Sequence, residues 1–222
     1  MNTTQAAKQT PAGSRAYNSP LREHQAERTR ELILDAATQQ LSDGGIQELN
    51  IPRIARRAGI SIRTVYRHFP TREVLLDDLS RWLEEKVVAV PPAKSIEDLQ
   101  SGPLRTFPAF DENEALLRAH WITGPGREVR SRGRQRRLAN YRRLLDDASK
   151  NLSPAEQREV LTVIAFLLSS RTWQVFKDEF GMNGDASGKA VSWAVTTLIA
   201  DIRDRNDKTA KQSAQQVARK ET

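Results

Sequence analysis

The chain of 222 residues contains no cysteine, which excludes disulfide staples, thiolate metal sites and cysteine nucleophiles. This composition fits a reducing compartment, and a cytoplasmic protein is expected. Its three histidines, His24, His68 and His120, are too widely spaced for a metal-ligand motif, so neither a metal nor another cofactor is expected. No run reaches the ~18 apolar residues of a membrane span, and the stretch MNTTQAAKQTPAGSRAYNSPL has no apolar core of a secretory signal, so a soluble protein with no membrane partner is expected. A phosphate-cradling glycine loop, a nucleophile elbow and a His-Glu metal helix are also lacking; no catalytic residue is assigned and an enzyme is not expected. The alternating pattern of strands is nowhere sustained.

What the sequence does have is helical periodicity and positive charge. Apolar residues recur at three and four, as in Leu32, Ile33, Ala36, Ala37 and Leu41, which predicts an all-α fold. Lys and Arg outnumber Asp and Glu by 35 to 28, a net charge of +7, and this balance favours polyanions. Residues 1–25 and 206–222 are poor in large apolar side chains and read as disordered arms. Between them, helices are expected at Glu27 to Ser42 (ended by Gly44 and Gly45), over IPRIARRA capped by Asn50, after Ser61, and from Arg72 to Val88. Beyond the break at Pro91 and Pro92, further helices are expected near 96–100, 112–123, 127–149, 154–179 and 186–204, with Gly181, Gly184 and Gly188 read as breakers.

The segment IPRIARRAGISIRTVYRHF combines two short helices and a three-residue turn containing glycine, the spacing of a helix-turn-helix. Val65 and Phe69 should pack inward with Ile54, Ala58 and Ile60. Ile62, Arg63, Thr64 and Arg67 are then left on the opposite face, where arginine can bridge O6 and N7 of guanine and Thr or Ile can touch the thymine methyl. From Arg53 to Arg72 there are six arginines and no acidic residue, so double-stranded DNA is the expected partner. Arg28 and Thr29 at the start of the first helix, with Asn50, Arg53, Tyr66, His68 and Arg72, are the candidate phosphate contacts.

The stretch IARRAGISIRTVYRHFPTREVLLDDL resembles the TetR family of bacterial transcriptional regulators, whose pattern is IA-x-x-AG-[VI]-S-x-x-T-[LV]-Y-x-[HY]-F-x-[ST]-[KR]-E-x-L-L. Asn50 stands where that family usually has Thr. The resemblance covers about residues 27–85. It implies a helix-turn-helix DNA-binding domain over 26–72 and a helical regulatory and dimerisation domain over 73–205, with the helix from Arg72 connecting the two. It further implies a homodimer, a small-molecule effector, and repression of a palindromic operator at the nucleoid. An activator or a regulator answering a protein partner is the alternative.

For the effector, Trp121, Tyr141, Phe166, Ser170 and Trp173 are candidate pocket residues. The apolar segments VLTVIAFLLSS and AVSWAVTTLIADI are wide enough for a dimer seam, which nominates Ala165, Leu168, Trp193 and Thr197. The run Arg127–Arg143 holds eight arginines and one glutamate. It reads as a solvated helix face, with two alternatives: an inward Arg137 or Arg142 holding a ligand carboxylate, or a surface that binds nucleic acid, RNA included, without sequence preference.

Overall fold

The computed structural model describes residues 20–43, 49–87 and 91–220. Among these residues every regular element is a helix, in the order α1 (Pro20–Ser42), α2 (Ile51–Arg57), α3 (Ile62–His68), α4 (Arg72–Trp82), α5 (Ile96–Ser101), α6 (Pro103–Glu112), α7 (Glu114–Ile122), α8 (Gly124–Ser149), α9 (Pro154–Leu167), α10 (Ser170–Phe180) and α11 (Gly184–Lys220). A π-helical turn, Leu83–Val87, prolongs α4. None of these helices is long and apolar enough to cross a membrane.

Local chemistry starts the short helices. The side chains of Asn50, Ser61 and Thr71 accept from the backbone N–H of Arg53, Thr64 and Val74 at 2.9, 3.1 and 3.3 Å. Each cap satisfies a donor that the helix cannot, a contribution of about 1 kcal/mol. Gly59 turns the chain between α2 and α3 at φ 68°, the left-handed region that side chains with a Cβ disfavour.

Two apolar cores follow. In the first, Ile33, Ile54, Val65, Phe69, Leu76 and Leu79 are buried together, as the spacing of α2 and α3 predicts, with Ala58 and Ile60 half-buried against them. Leu116 of α7 and Val129 of α8 complete this core, so α4 is clasped between the N-terminal helices and the body. The second core, which includes Leu99, Phe107, Phe110, Ile164, Trp173, Val195 and Ile199, lies wholly in α5–α11. At its edge Asp111 accepts from Trp173 Nε1 at 2.9 Å, Lys177 Nζ at 3.0 Å and the Gly184 N–H at 2.5 Å, which ties α6, α10 and α11 together. Burial alone would raise the Asp111 pKa, but these donors outweigh it and hold the carboxyl below its ordinary range.

Several boundaries differ from the expectation. Helix α1 starts at Pro20, not Glu27, so Arg22 is helical rather than part of a disordered arm. Lys8 and Arg15 of that arm, and the Gly44-Gly45 stop, lie outside the described residues. Helix α6 was not expected, because Gly102 and Pro103 read as a break; proline in a first turn loses no hydrogen bond, and α6 begins there. The long helix expected over 154–179 is two, separated where Ser169 caps α10 by accepting from the Thr172 N–H at 3.4 Å. Gly188 lies inside α11, where a Cβ would meet the Pro103 carbonyl at 2.6 Å; it permits close approach to α6 and breaks nothing. Helix α11 also runs on through 206–220, the segment expected to be disordered. A helix already nucleated by packing propagates cheaply through Lys, Gln and Ala. The Asp204–Lys208 pair at 2.6 Å and the buried Asn206, whose Oδ1 accepts from the Asn151 N–H at 2.8 Å, add support.

Candidate nucleic-acid interface

Because Val65 and Phe69 hold α3 against the first core, the opposite face of α3 is set by helical geometry alone. Ile62, Arg63, Tyr66 and Arg67 are exposed there and Thr64 is half-exposed. The Thr64 hydroxyl lies 2.9 Å from the Ser61 hydroxyl, so its polar end serves the cap and its methyl remains for apolar contact.

The arginines of this region sort into two sets. Arg53 and Arg57 both reach Asp43 Oδ2, at 2.6 and 2.8 Å, and Arg72 pairs with Glu128 of α8 through two hydrogen bonds of 2.5 and 2.9 Å. The side chains of Arg56, Arg63 and Arg67 make no ion pair or hydrogen bond among the described residues. A guanidinium without a carboxylate partner can offer its whole fork to a base edge or a phosphate. Exposed guanidinium charge therefore stands on the outer face of α3, and Arg56 of α2 is exposed as well.

The expected phosphate contacts fare differently. Arg28 is exposed, but with α1 beginning at Pro20 neither it nor Thr29 stands at a helix N-terminus, and the Thr29 hydroxyl donates to Gln25 O at 2.8 Å. Asn50 uses its side chain as the cap of α2. The Nε2 of His68 is buried without a partner, and burial, followed by Arg67 and Arg30, lowers its pKa, which disfavours the cationic phosphate donor expected there. Tyr66 and Arg53 stay at the surface, Arg53 only by sharing Asp43. Arg30 escaped the sequence reading; it pairs with Asp78 of α4 and covers the Phe69 ring at 4.8 Å, which fixes α3 and α4 to α1.

Three arginines of the basic run on α8 are paired within the chain. Arg132 bonds Asp77 at 2.8 Å, Arg136 bonds Ser80 at 2.7 Å and Glu84 at 3.1 Å, and Arg137 pairs with Glu84 as well. Together with Arg72–Glu128 these contacts form a polar seam along α4 and α8. Arg130 lies over the Trp121 ring at 3.5 Å. Arg127, Arg134, Arg142 and Arg143 of the same run are exposed without a carboxylate partner among the described residues, so the run is partly a clasp on α4 and partly a solvated face.

Next to that seam is a cavity of about 550 Å³, within the range of small-molecule sites. Tyr141, Ser170 and Arg137 line it, while Arg142 does not. Three of the expected pocket residues are elsewhere. Trp173, 1% exposed, is a core residue, Phe166 is on the surface at 55% exposure, and Trp121 stacks under Arg130 outside the lining. The segments missed were the π-helical turn, residues 91–94 and α6, since helical periodicity gave no sign of which of them would meet. Of the expected seam residues, Trp193 at 73% and Thr197 are exposed on α11, and α9 exposes Val163 and Phe166. Ala165 is half-buried. Leu168 turns inward to the second core and the cavity, because the chain leaves α9 there to enter α10.

A capped pair of short helices, a glycine turn and an arginine-bearing outer face define a helix-turn-helix domain of the DNA-reading kind. Residues 33–79 match the model for bacterial regulatory proteins of the tetR family. The N-terminal helix-turn-helix domain of this chain belongs to that family. The chain is also similar to the nucleoid occlusion factor SlmA of Sodalis glossinidius, 34% identical over 61 residues, and to that of Serratia proteamaculans, 35% identical over 60 residues. Each match covers 27% of this chain and 31% or 30% of the relative, so the chain spans about a third of the length of the curated relatives it matches.

Proposed function

We propose that this protein is a homodimeric, ligand-responsive transcriptional repressor that acts in the bacterial cytoplasm on a palindromic operator. The observation that carries the DNA reading is the sorting of arginines: Arg63 and Arg67, on the outer face of α3, have no carboxylate partner among the described residues, while Arg53, Arg57 and Arg72 are held by carboxylates. Ile62, Arg63, Thr64 and Arg67 read base edges; Arg28, Tyr66 and Arg56 approach phosphates. Two copies joined through the exposed strips of α9 and α11, with Trp193 at the centre, place two recognition helices in successive major grooves about 34 to 36 Å apart.

The cavity supports the ligand response. It touches Ser80, Leu83 and Glu84 at the far end of the helix whose first residues leave the DNA-binding domain. An effector there changes how α4 lies on α8, and a coupling of about 1 to 3 kcal/mol shifts operator affinity roughly 5- to 150-fold. The likeness to nucleoid occlusion factors is confined to the DNA-binding region and so supports DNA binding alone. Selection of sites from a randomised duplex pool, at low and near-physiological salt, tests the reading. A palindrome that survives the higher salt is the expected result, and recovery of no motif at either salt sinks it.

A further inference from the structure

We propose that the cavity takes an effector with an apolar body and a carboxylate, and that this carboxylate displaces Glu84 from Arg137 to release the end of α4 from α8. The inference rests on reading the cavity as the effector site and adds the class of ligand and the route of its signal.

The first support is a charge imbalance in the wall. Arg130 lines the cavity and has no carboxylate partner among the described residues; its guanidinium rests on the Trp121 ring. Burial, then the nearby Arg134, Arg127, Arg137 and Arg171, lowers its pKa, as expected of a cation gathered among cations with no anion to balance it. The second is His120, also in the wall and 8% exposed, whose Nε2 is buried with no hydrogen-bond partner. Buried polar atoms are almost always satisfied, so an unsatisfied one on a residue of the cavity wall leaves a hydrogen-bonding group that a ligand can complete. The third is the apolar lining from Leu99, Phe107, Phe110, Leu117 and Val129, which suits a hydrocarbon or aromatic body.

One carboxylate already occupies the cationic end. Glu84 bridges Arg136, at 3.1 Å, and Arg137, and it stands on the π-helical turn that prolongs α4. Gly133 of α8 makes this possible, since a Cβ there would meet the Glu84 carboxylate and Arg137 Nη1. A ligand carboxylate is chemically equivalent to the Glu84 side chain and competes with it for the same fork. When it wins, the π-helical end of α4 loses its Glu84–Arg137 bond to α8, while Arg136–Ser80, Arg132–Asp77 and Arg72–Glu128 still hold the rest of α4.

Titration calorimetry of the full chain with octanoate and para-butylbenzoate, against octanol and octylamine as uncharged and cationic counterparts, tests this. Charge-assisted bonds predict that a carboxylate binds tighter than its alcohol by roughly tenfold or more. Arg130→Gln and Arg137→Gln should remove that preference. Glu84→Gln, which keeps the side-chain size and removes the internal competitor, should instead strengthen carboxylate binding by about tenfold and leave the alcohol unchanged. The proposal is overturned if alcohol or amine binds as tightly as the carboxylate, if no carboxylate binds, or if folded Glu84→Gln binds it no better than the natural chain. Failure to select any operator would remove the repressor reading and leave a measured carboxylate preference standing; an operator-binding protein indifferent to carboxylates would remove only this inference.

Discussion

Truncation of Arg63 to alanine separates base reading from simple attraction to DNA. The side chain is exposed and makes no hydrogen bond or ion pair among the described residues, so its loss should change stability by no more than about 0.5 kcal/mol. A bidentate contact from arginine to guanine discriminates by about 1–3 kcal/mol, which raises the operator Kd about 5- to 150-fold and relaxes preference at one position of each half-site. Arg72→Ala is the contrast. Arg72 and Glu128 are 41% and 47% exposed, so their pair contributes at most about 1 kcal/mol to stability, and its loss should leave the preference between operator and random DNA unchanged. Fluorescence anisotropy with the selected operator, singly altered operators and random duplex, over a range of salt, reads both effects. Equal losses on operator and random DNA for Arg63→Ala would refute the assignment of α3 as a reading helix.

Gly59→Ala should cost about 1–2 kcal/mol in a thermal melt, through the left-handed backbone alone, since no atom lies within 4 Å of the added Cβ; an unchanged melting temperature would contradict this. Trp173→Ala should cost about 3–5 kcal/mol in urea, because it opens a cavity in the second core and removes the bond to Asp111, and a loss below about 1 kcal/mol would deny it that place. His120 should make the protein less stable in mild acid. Burial first, then Arg130 and Arg137, lowers its pKa from 6.5 to about 4, so the unfolded chain binds the extra proton, and stability present above pH 6.5 is lost as pH falls towards 4, by up to about 3 kcal/mol. His120→Asn should flatten that slope in melts between those limits, and an unaltered slope would assign it to other groups. Trp193→Glu, on the exposed face of α11, should give monomers by light scattering; an unchanged dimer would place the interface elsewhere.

The DNA-binding unit was legible because its determinants are short-range. Caps at Asn50, Ser61 and Thr71 act within three residues, the glycine turn sits between its helices, and the Val65–Phe69 spacing decides by itself which side of α3 faces out. The cavity was not legible for the opposite reason. Tyr141 and Ser170 line it, but Phe166 is on the surface and Trp173 in the core, because both lie in a run apolar on several faces, and which face turns inward depends on how α9, α10 and α11 cross. The phosphate contacts fell between the two: Arg53 and Arg72 look alike in sequence to Arg63, and only their carboxylate partners tell them apart.

By itself, then, the amino-acid sequence determined the helical class, the helix-turn-helix and the face that α3 presents, since periodicity, caps and turns are set by neighbours a few residues away. Tertiary structure alone decided which arginines are neutralised, as Arg72 meets a glutamate 56 positions distant. It likewise decided that the basic run of α8 clasps α4 and that a cavity opens beside Glu84. Pairing and packing at that separation depend on where whole helices come to rest, and no local pattern encodes it.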